Sequence, residues 1–121
     1  MFDNTFHPQD FRALNLVTDR SIFPIPSTKE MMIVLNGSVY FTTLDLGNAF
    51  YQVELNESSK IKTAFSTKNE QYCFNRMTFG TAAAPATFQK LMNKVLGESN
   101  WKKAVVYLDE ILIFSQSKAE H

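Results

Sequence analysis

A chain of 121 residues, 45% of them apolar, is long enough for one modest core and too short for two independent domains. Twelve basic residues balance twelve acidic ones, which excludes the strongly positive overall field that draws many proteins to phosphate, so any nucleic-acid contact has to be local. The single cysteine, Cys73, excludes an internal disulfide and a thiolate metal cluster and fits an intracellular setting, and no run approaches the roughly 20 apolar residues of a membrane span.

In chain order, Phe23-Pro24-Ile25-Pro26 reads as an extended connection. Ser27-Thr28-Lys29-Glu30 has the form of a capping box, so a short helix is expected after it, with Met31, Met32 and Leu35 on one side and Asn36-Gly37 as its stop. Val39 to Leu46 has strand composition; period two puts Phe41, Thr43 and Asp45 on one face and Tyr40, Thr42, Leu44 and Leu46 on the other. Thr63 to Ser66 and Gln71 to Phe74 read as a hairpin, with Cys73 as a small buried residue. Pro85 opens a helix that Gly97 closes, and Phe88, Leu91, Met92 and Val95 form the stripe expected to face the core. Ala104 to Tyr107 and Ile111 to Phe114 predict a second hairpin with Leu108-Asp109-Glu110 at its bend, where no Gly or Asn is present to take a positive φ. Helix, strand, hairpin, helix and hairpin make an α+β pattern.

The chemistry lies where acids interrupt these runs. Asp45 ends one apolar strand and Asp109-Glu110 divides another, and no Lys or Arg lies within six residues of Asp45. A carboxylate so placed has to be solvated, paired or bound to a cation. Two carboxylates about 4 Å apart repel by about 4 kcal/mol at an effective dielectric near 20, and a divalent cation reverses that sign. Mg²⁺ takes oxygen ligands of this kind together with substrate phosphates, and a pair of such ions suits nucleotidyl transfer. His7 and His121, at opposite ends, suggest no zinc site. Taken singly, Asp45 reads as a strand-edge or turn acid, Phe50 most simply as a core aromatic, and Glu110 as a hairpin-turn acid or a supporting catalytic one.

Four ordered motifs then carry a resemblance: Phe41-Thr42-Thr43-Leu44-Asp45-Leu46-Gly47-Asn48-Ala49-Phe50-Tyr51-Gln52-Val53; Thr63-Ala64-Phe65; Met77-Thr78-Phe79-Gly80 with Ala84-Pro85-Ala86-Thr87-Phe88-Gln89; and Tyr107-Leu108-Asp109-Glu110. Together they resemble the reverse transcriptase of long-terminal-repeat retrotransposons, most like the Ty3/gypsy type. Asp10 to Asn15 and Phe23 to Pro26 are similar to that family's fingers segments, so the likeness covers residues 10–121 and leaves 1–9 unmatched. The resemblance implies a partial polymerase palm, an antiparallel, ferredoxin-like sheet packed on helices, with part of the fingers and truncated before the thumb. It implies Asp45, Asp109 and Glu110 as the catalytic acids, and two Mg²⁺ ions, for which Mn²⁺ substitutes, held by Asp45, Asp109 and the Leu46 carbonyl. Gly47, Asn48, Ala49, Phe50, Phe79 and Gly80 would receive the deoxynucleoside triphosphate, with Phe50 as a steric gate against a 2′-hydroxyl. Arg12 would touch the template and Tyr107 the primer end. The implied partners are an RNA or DNA template with its primer, deoxynucleoside triphosphates and the rest of a Pol polyprotein, with no membrane.

The chain also departs from the family. Glu110 stands where the motif Tyr-x-Asp-Asp has its second Asp, Thr78 and Thr81 replace the Pro and Leu of Met-Pro-Phe-Gly-Leu, Leu16 stands where a basic residue is common, and residues 1–9 hold no Lys or Arg. One added methylene is longer than the roughly 0.5 Å within which a ligand set must be held. Two readings follow: an RNA-directed DNA polymerase domain, and a catalytically inactive or co-opted remnant that binds nucleic acid or protein. A palm-like nucleotide cyclase would share the two acids without the Phe79-Gly80 and Phe88-Gln89 motifs. An incomplete palm is expected to leave one sheet edge and one helix face uncovered.

Overall fold

The computed structural model describes residues 10–19 and 23–121, so segment 1–9, with His7, lies outside the described residues. In chain order the elements are α1 (Arg12–Val17), α2 (Thr28–Leu35), β1 (Tyr40–Asp45), α3 (Glu57–Lys62), β2 (Phe65–Ser66), β3 (Gln71–Tyr72), α4 (Ala84–Leu96), β4 (Ala104–Tyr107) and β5 (Glu110–Ser115). Helices and antiparallel strands are segregated as the α+β expectation requires. The chain forms two compact units. One takes the described residues before Ser21 with Phe50–Ala84, and the other takes those of Ser21–Ala49 with Pro85–His121.

The second unit holds a three-stranded antiparallel sheet in the order β1-β5-β4. β5 is central because its Ile111, Leu112, Ile113 and Phe114 can be apolar on both faces, whereas β1 has polar and acidic positions and lies at an edge. The register sets Phe41 against Phe114, Thr43 against Leu112 and Asp45 against Glu110, and on the other side of β5 Tyr107 against Glu110. Ala104, Val105 and Val106 are buried, yet all six residues of β1 are exposed. The uncovered sheet edge expected from the sequence is therefore β1.

α2 begins as its capping box dictates: the Ser27 hydroxyl accepts from the Glu30 amide at 3.3 Å, while the Ser27 amide donates to the Glu30 carboxylate at 2.8 Å. The Ser27 hydroxyl in turn donates to the Glu30 carboxylate at 2.6 Å, and that bond, followed by the one from the Ser27 amide, holds the Glu30 carboxyl below its ordinary range. Gly37 takes φ +83° after the helix, a left-handed conformation that suits glycine. The expected side of α2 needs one correction, because Met31 and Leu35 are half-buried but Met32 is exposed. α4 begins one residue before Pro85 and ends at Gly97, which has φ +51°. Its buried stripe also differs from expectation. Phe88 and Met92 are buried, whereas Leu91 and Val95 are exposed, the latter by 66%, and Gln89 is buried instead. The 3.6-residue period identifies residues that share a face but leaves open by about one residue where that face is centred.

In the first unit, β2 and β3 pair as Phe65 with Tyr72 and Ser66 with Gln71, as expected for the first hairpin. Cys73 is exposed rather than buried, and lies just past the short ladder that ends at Tyr72. α1 and α3 were not expected from periodicity. α3 has an Asn56 cap whose side chain accepts from the Ser59 amide at 2.9 Å, with Glu57 in its first turn and Lys60 and Lys62 in its last. Charges so placed complement the helix dipole. α1 is tied to the 80–82 loop by Asn15, which donates to the Gly80 carbonyl at 2.8 Å and accepts from the Ala82 amide at 2.7 Å.

Candidate active site

The β-ladder brings the distant acids together at one end of the sheet. Leu46 N–H donates to the Asp109 carbonyl at 3.0 Å, one position beyond the Asp45–Glu110 pair. That pair is therefore a non-hydrogen-bonded one, the kind in which opposite side chains approach most closely. Asp45, Glu110 and Tyr107 form a row across three strands on one face. Two like charges directly opposite one another destabilise a sheet. Among the described residues, no Lys or Arg pairs with Asp45, Asp109 or Glu110.

Asp109 occupies the second position of a two-residue hairpin loop. Leu108, at the first, takes φ +55°, the positive φ expected to be strained because the loop has neither Gly nor Asn. For a residue with a Cβ this conformation costs about 1–2 kcal/mol. The turn sets Asp109 half-buried, with its Oδ1 buried and without a hydrogen-bond partner. Leaving an acceptor in that state is costly, and a bound cation relieves it.

The observed donors fit a hard cation in kind: a buried unpartnered carboxylate oxygen on Asp109, the exposed carboxylate of Asp45 and a backbone carbonyl at Leu46. That carbonyl already accepts from the Ala49 amide at 3.0 Å, which leaves one of its two lone pairs. Among the described residues, no three or more His, Cys, Asp or Glu side chains group to hold a metal. The candidate protein ligands are therefore two carboxylates and a carbonyl, with Glu110 beside them. Gly47 has no positive φ, and a Cβ placed on it would meet nothing within 4 Å. Neither backbone nor packing asks for glycine there. Asn48, in the same turn, has φ +55°, and Ala49 is buried.

The first unit carries the aromatic residues expected at a nucleotide. Phe50 is buried with its ring 4.8 Å from that of Phe79, and Tyr51 meets Phe79 edge-on at 5.5 Å. Phe79 leaves about half its surface exposed. Gly80 takes φ +88°, a left-handed conformation that favours glycine, while a Cβ there would only touch the Phe11 ring at 3.4 Å. Arg12 pairs with Asp10 at 2.6 Å and holds that carboxyl at about 2. A template phosphate would have to compete with that pair. Sequence reasoning gave no role to Gln89, which is buried on α4 and donates to the Val106 carbonyl. The available signal was an amide in the middle of an apolar stripe.

The family model for reverse transcriptase (RNA-dependent DNA polymerase) matches residues 3–121. The chain belongs to the reverse transcriptase family. Relatives of this reverse transcriptase segment include the retrovirus-related Pol polyprotein from transposon 297 of Drosophila melanogaster, 48% identical over 93% of this chain and 11% of that protein. The Pol polyprotein from transposon gypsy of the same fly is 38% identical over the same shares, and the transposon Tf2-3 polyprotein of Schizosaccharomyces pombe is 34% identical over 93% of this chain and 8% of its own. The segment thus spans about a tenth of the length of these relatives, and the expected gypsy-type retrotransposon origin is borne out. Among solved structures, the foamy viral protease-reverse transcriptase in complex with an RNA/DNA hybrid superposes with a TM-score of 0.76 at 25% identity, over 93% of this chain and 15% of that one. The native prototype foamy virus enzyme gives 0.74 at 27% identity, over the same shares. No helix among the described residues is long and apolar enough to cross a membrane.

Proposed function

We propose that residues 10–121 form part of the fingers and palm of a retroelement polymerase and carry the acidic centre at which deoxynucleotides are added to a primer on an RNA or DNA template. The observation that carries this reading is the buried, unpartnered Oδ1 of Asp109 in a hairpin hydrogen-bonded to the residue after Asp45. Asp45, Asp109 and the Leu46 carbonyl would hold Mg²⁺. When bound, the ions would supply charge stabilisation at the attacking and leaving oxygens. The chain's own part is to keep the two carboxylates at fixed spacing and to leave room at Gly47 for the triphosphate.

Phe50 serves as the gate because its ring is immobilised. Packed on Phe79, it cannot swing aside for a 2′-hydroxyl, so discrimination comes from a clash. Phe79, half-exposed, and Gly80, where the backbone takes a positive φ, are the first unit's proposed nucleotide contacts. Tyr107, in one row with Glu110 and Asp45, lies where a primer end would reach. The template, the triphosphates and the remaining Pol polyprotein are the proposed partners, in an intracellular setting.

The second reading, a remnant that binds nucleic acid or protein without catalysis, is favoured by Glu110. Its carboxylate is one methylene longer than the family's Asp. Primer extension on an RNA template decides between them, with this segment set into the transposon 297 polyprotein in place of its counterpart. Extension that falls at least about 100-fold in Asp45→Asn and Asp109→Asn supports the polymerase. Extension absent in the unmodified segment and restored by Glu110→Asp supports the remnant.

A further inference from the structure

Gln89 is 1% exposed, and its Nε2 donates to the Val106 carbonyl at 3.1 Å and to Asn93 Oδ1 at 3.0 Å, one turn along α4. Its Oε1 is buried without a partner. A carbonyl can only accept, so Val106 fixes which end of the amide faces the sheet.

The placement of that bond is specific. β4 is an edge strand among the described residues, and pairing of Tyr107 with Glu110 closes the hairpin, so the Val106 carbonyl points away from β5 to the side where no described strand pairs with it. Val106 is wholly buried and directly precedes Tyr107-Leu108-Asp109. β4, the first arm of the hairpin that presents Asp109, is therefore bonded on one side to β5 and, at Val106, on the other to the Gln89 amide. An apolar residue in the stripe would leave the Oε1 problem behind but release the strand.

We propose that Gln89 is a positioning residue: its amide clamps β4 to α4 one residue before the acidic hairpin and so sets where the Asp109 carboxylate stands relative to Asp45. This rests on the reading of Asp45 and Asp109 as cation ligands. Gln89 touches no reacting atom. Partners that orient metal ligands typically alter metal affinity by about 10–100-fold when removed.

Two variants test it, Gln89→Met, which keeps length without a donor, and Gln89→Glu, which keeps shape and can donate only when protonated. Amide exchange in the metal-free chain is the first readout. In Gln89→Met the amides of Leu108, Asp109 and Glu110 should exchange at least about 10-fold faster, while those of the β1–β5 ladder and the thermal midpoint stay near the parent values. In Gln89→Glu the hairpin should be slowed towards parental exchange as pH falls and the new carboxyl gains its proton, once the intrinsic pH dependence of exchange is removed. The second readout is Mn²⁺ affinity, expected to fall about 10-fold or more in Gln89→Met.

Uniform acceleration across the sheet in both variants, or unchanged hairpin exchange and Mn²⁺ affinity, would overturn the clamp. If the parent chain binds no Mn²⁺ at Asp45 and Asp109, the metal reading itself fails and Gln89's role in it falls too, even where the exchange effect is local. The two failures are thus distinguishable.

Discussion

Phe41 and Phe114 are cross-strand partners with opposite surroundings: Phe41 on β1 is 51% exposed, and Phe114 on β5 is 5% exposed. The same contrast holds for the acids. Asp45 ends a strand with no buried residue, whereas Asp109 lies in a hairpin anchored by the buried residues of β4 and β5. One half of the acidic centre is held by the core and the other by the ladder bonds of an edge strand. The hairpin side of the centre is packed against the core, and the β1 side is exposed.

The largest effect should come from the buried half. Phe114→Ala is expected to destabilise the chain by about 3–5 kcal/mol, and Phe41→Ala by less than about 1 kcal/mol, in urea unfolding monitored by circular dichroism. Equal losses would erase the distinction. Next, Asp109→Asn should raise the stability of the metal-free chain by about 1 kcal/mol, because a buried carboxylate oxygen with no partner is replaced by a neutral amide, while the exposed Asp45→Asn should change it by less than about 0.5 kcal/mol. A loss in Asp109→Asn would mean that the carboxylate has a stabilising partner. Leu108→Asn should add roughly 0.5–1 kcal/mol by easing the positive φ at the turn, read as a higher thermal midpoint.

The smallest effect lies outside the sheet, at the start of α2. Glu30 titrates below its ordinary value because the charged form accepts from Ser27, so the contribution of the cap is complete above about pH 4.5 and is lost as pH falls through the lowered folded value. Amide chemical shifts of residues 27–30 should move only in that acid range. Movement nearer pH 7 would contradict the capping box.

Much of this was legible because it rests on local chemistry. Ser27 and Glu30 announce a cap, Pro85 and Gly97 bracket a helix, and Asp45 and Asp109 stand out as charges that packing cannot explain. The missed features depend on tertiary context. α3 has a single apolar residue, Ile61, so it shows no stripe, and its cap and charge order were the available signals. The inward turn of α4 towards Gln89 and away from Val95 follows from its packing surroundings, which the period of the helix does not encode. Met32, placed by its side of α2, and Cys73, placed by residue type, are exposed because neither signal encodes what packs against them.

The central claim is that Asp45 and Asp109 share a divalent cation, and the most direct test is paramagnetic broadening of backbone amides during titration with Mn²⁺. The signals of Asp45, Leu46 and Asp109 should broaden first, and Asp45→Asn and Asp109→Asn should each abolish the effect. Broadening centred elsewhere, or surviving both substitutions, would contradict a shared site.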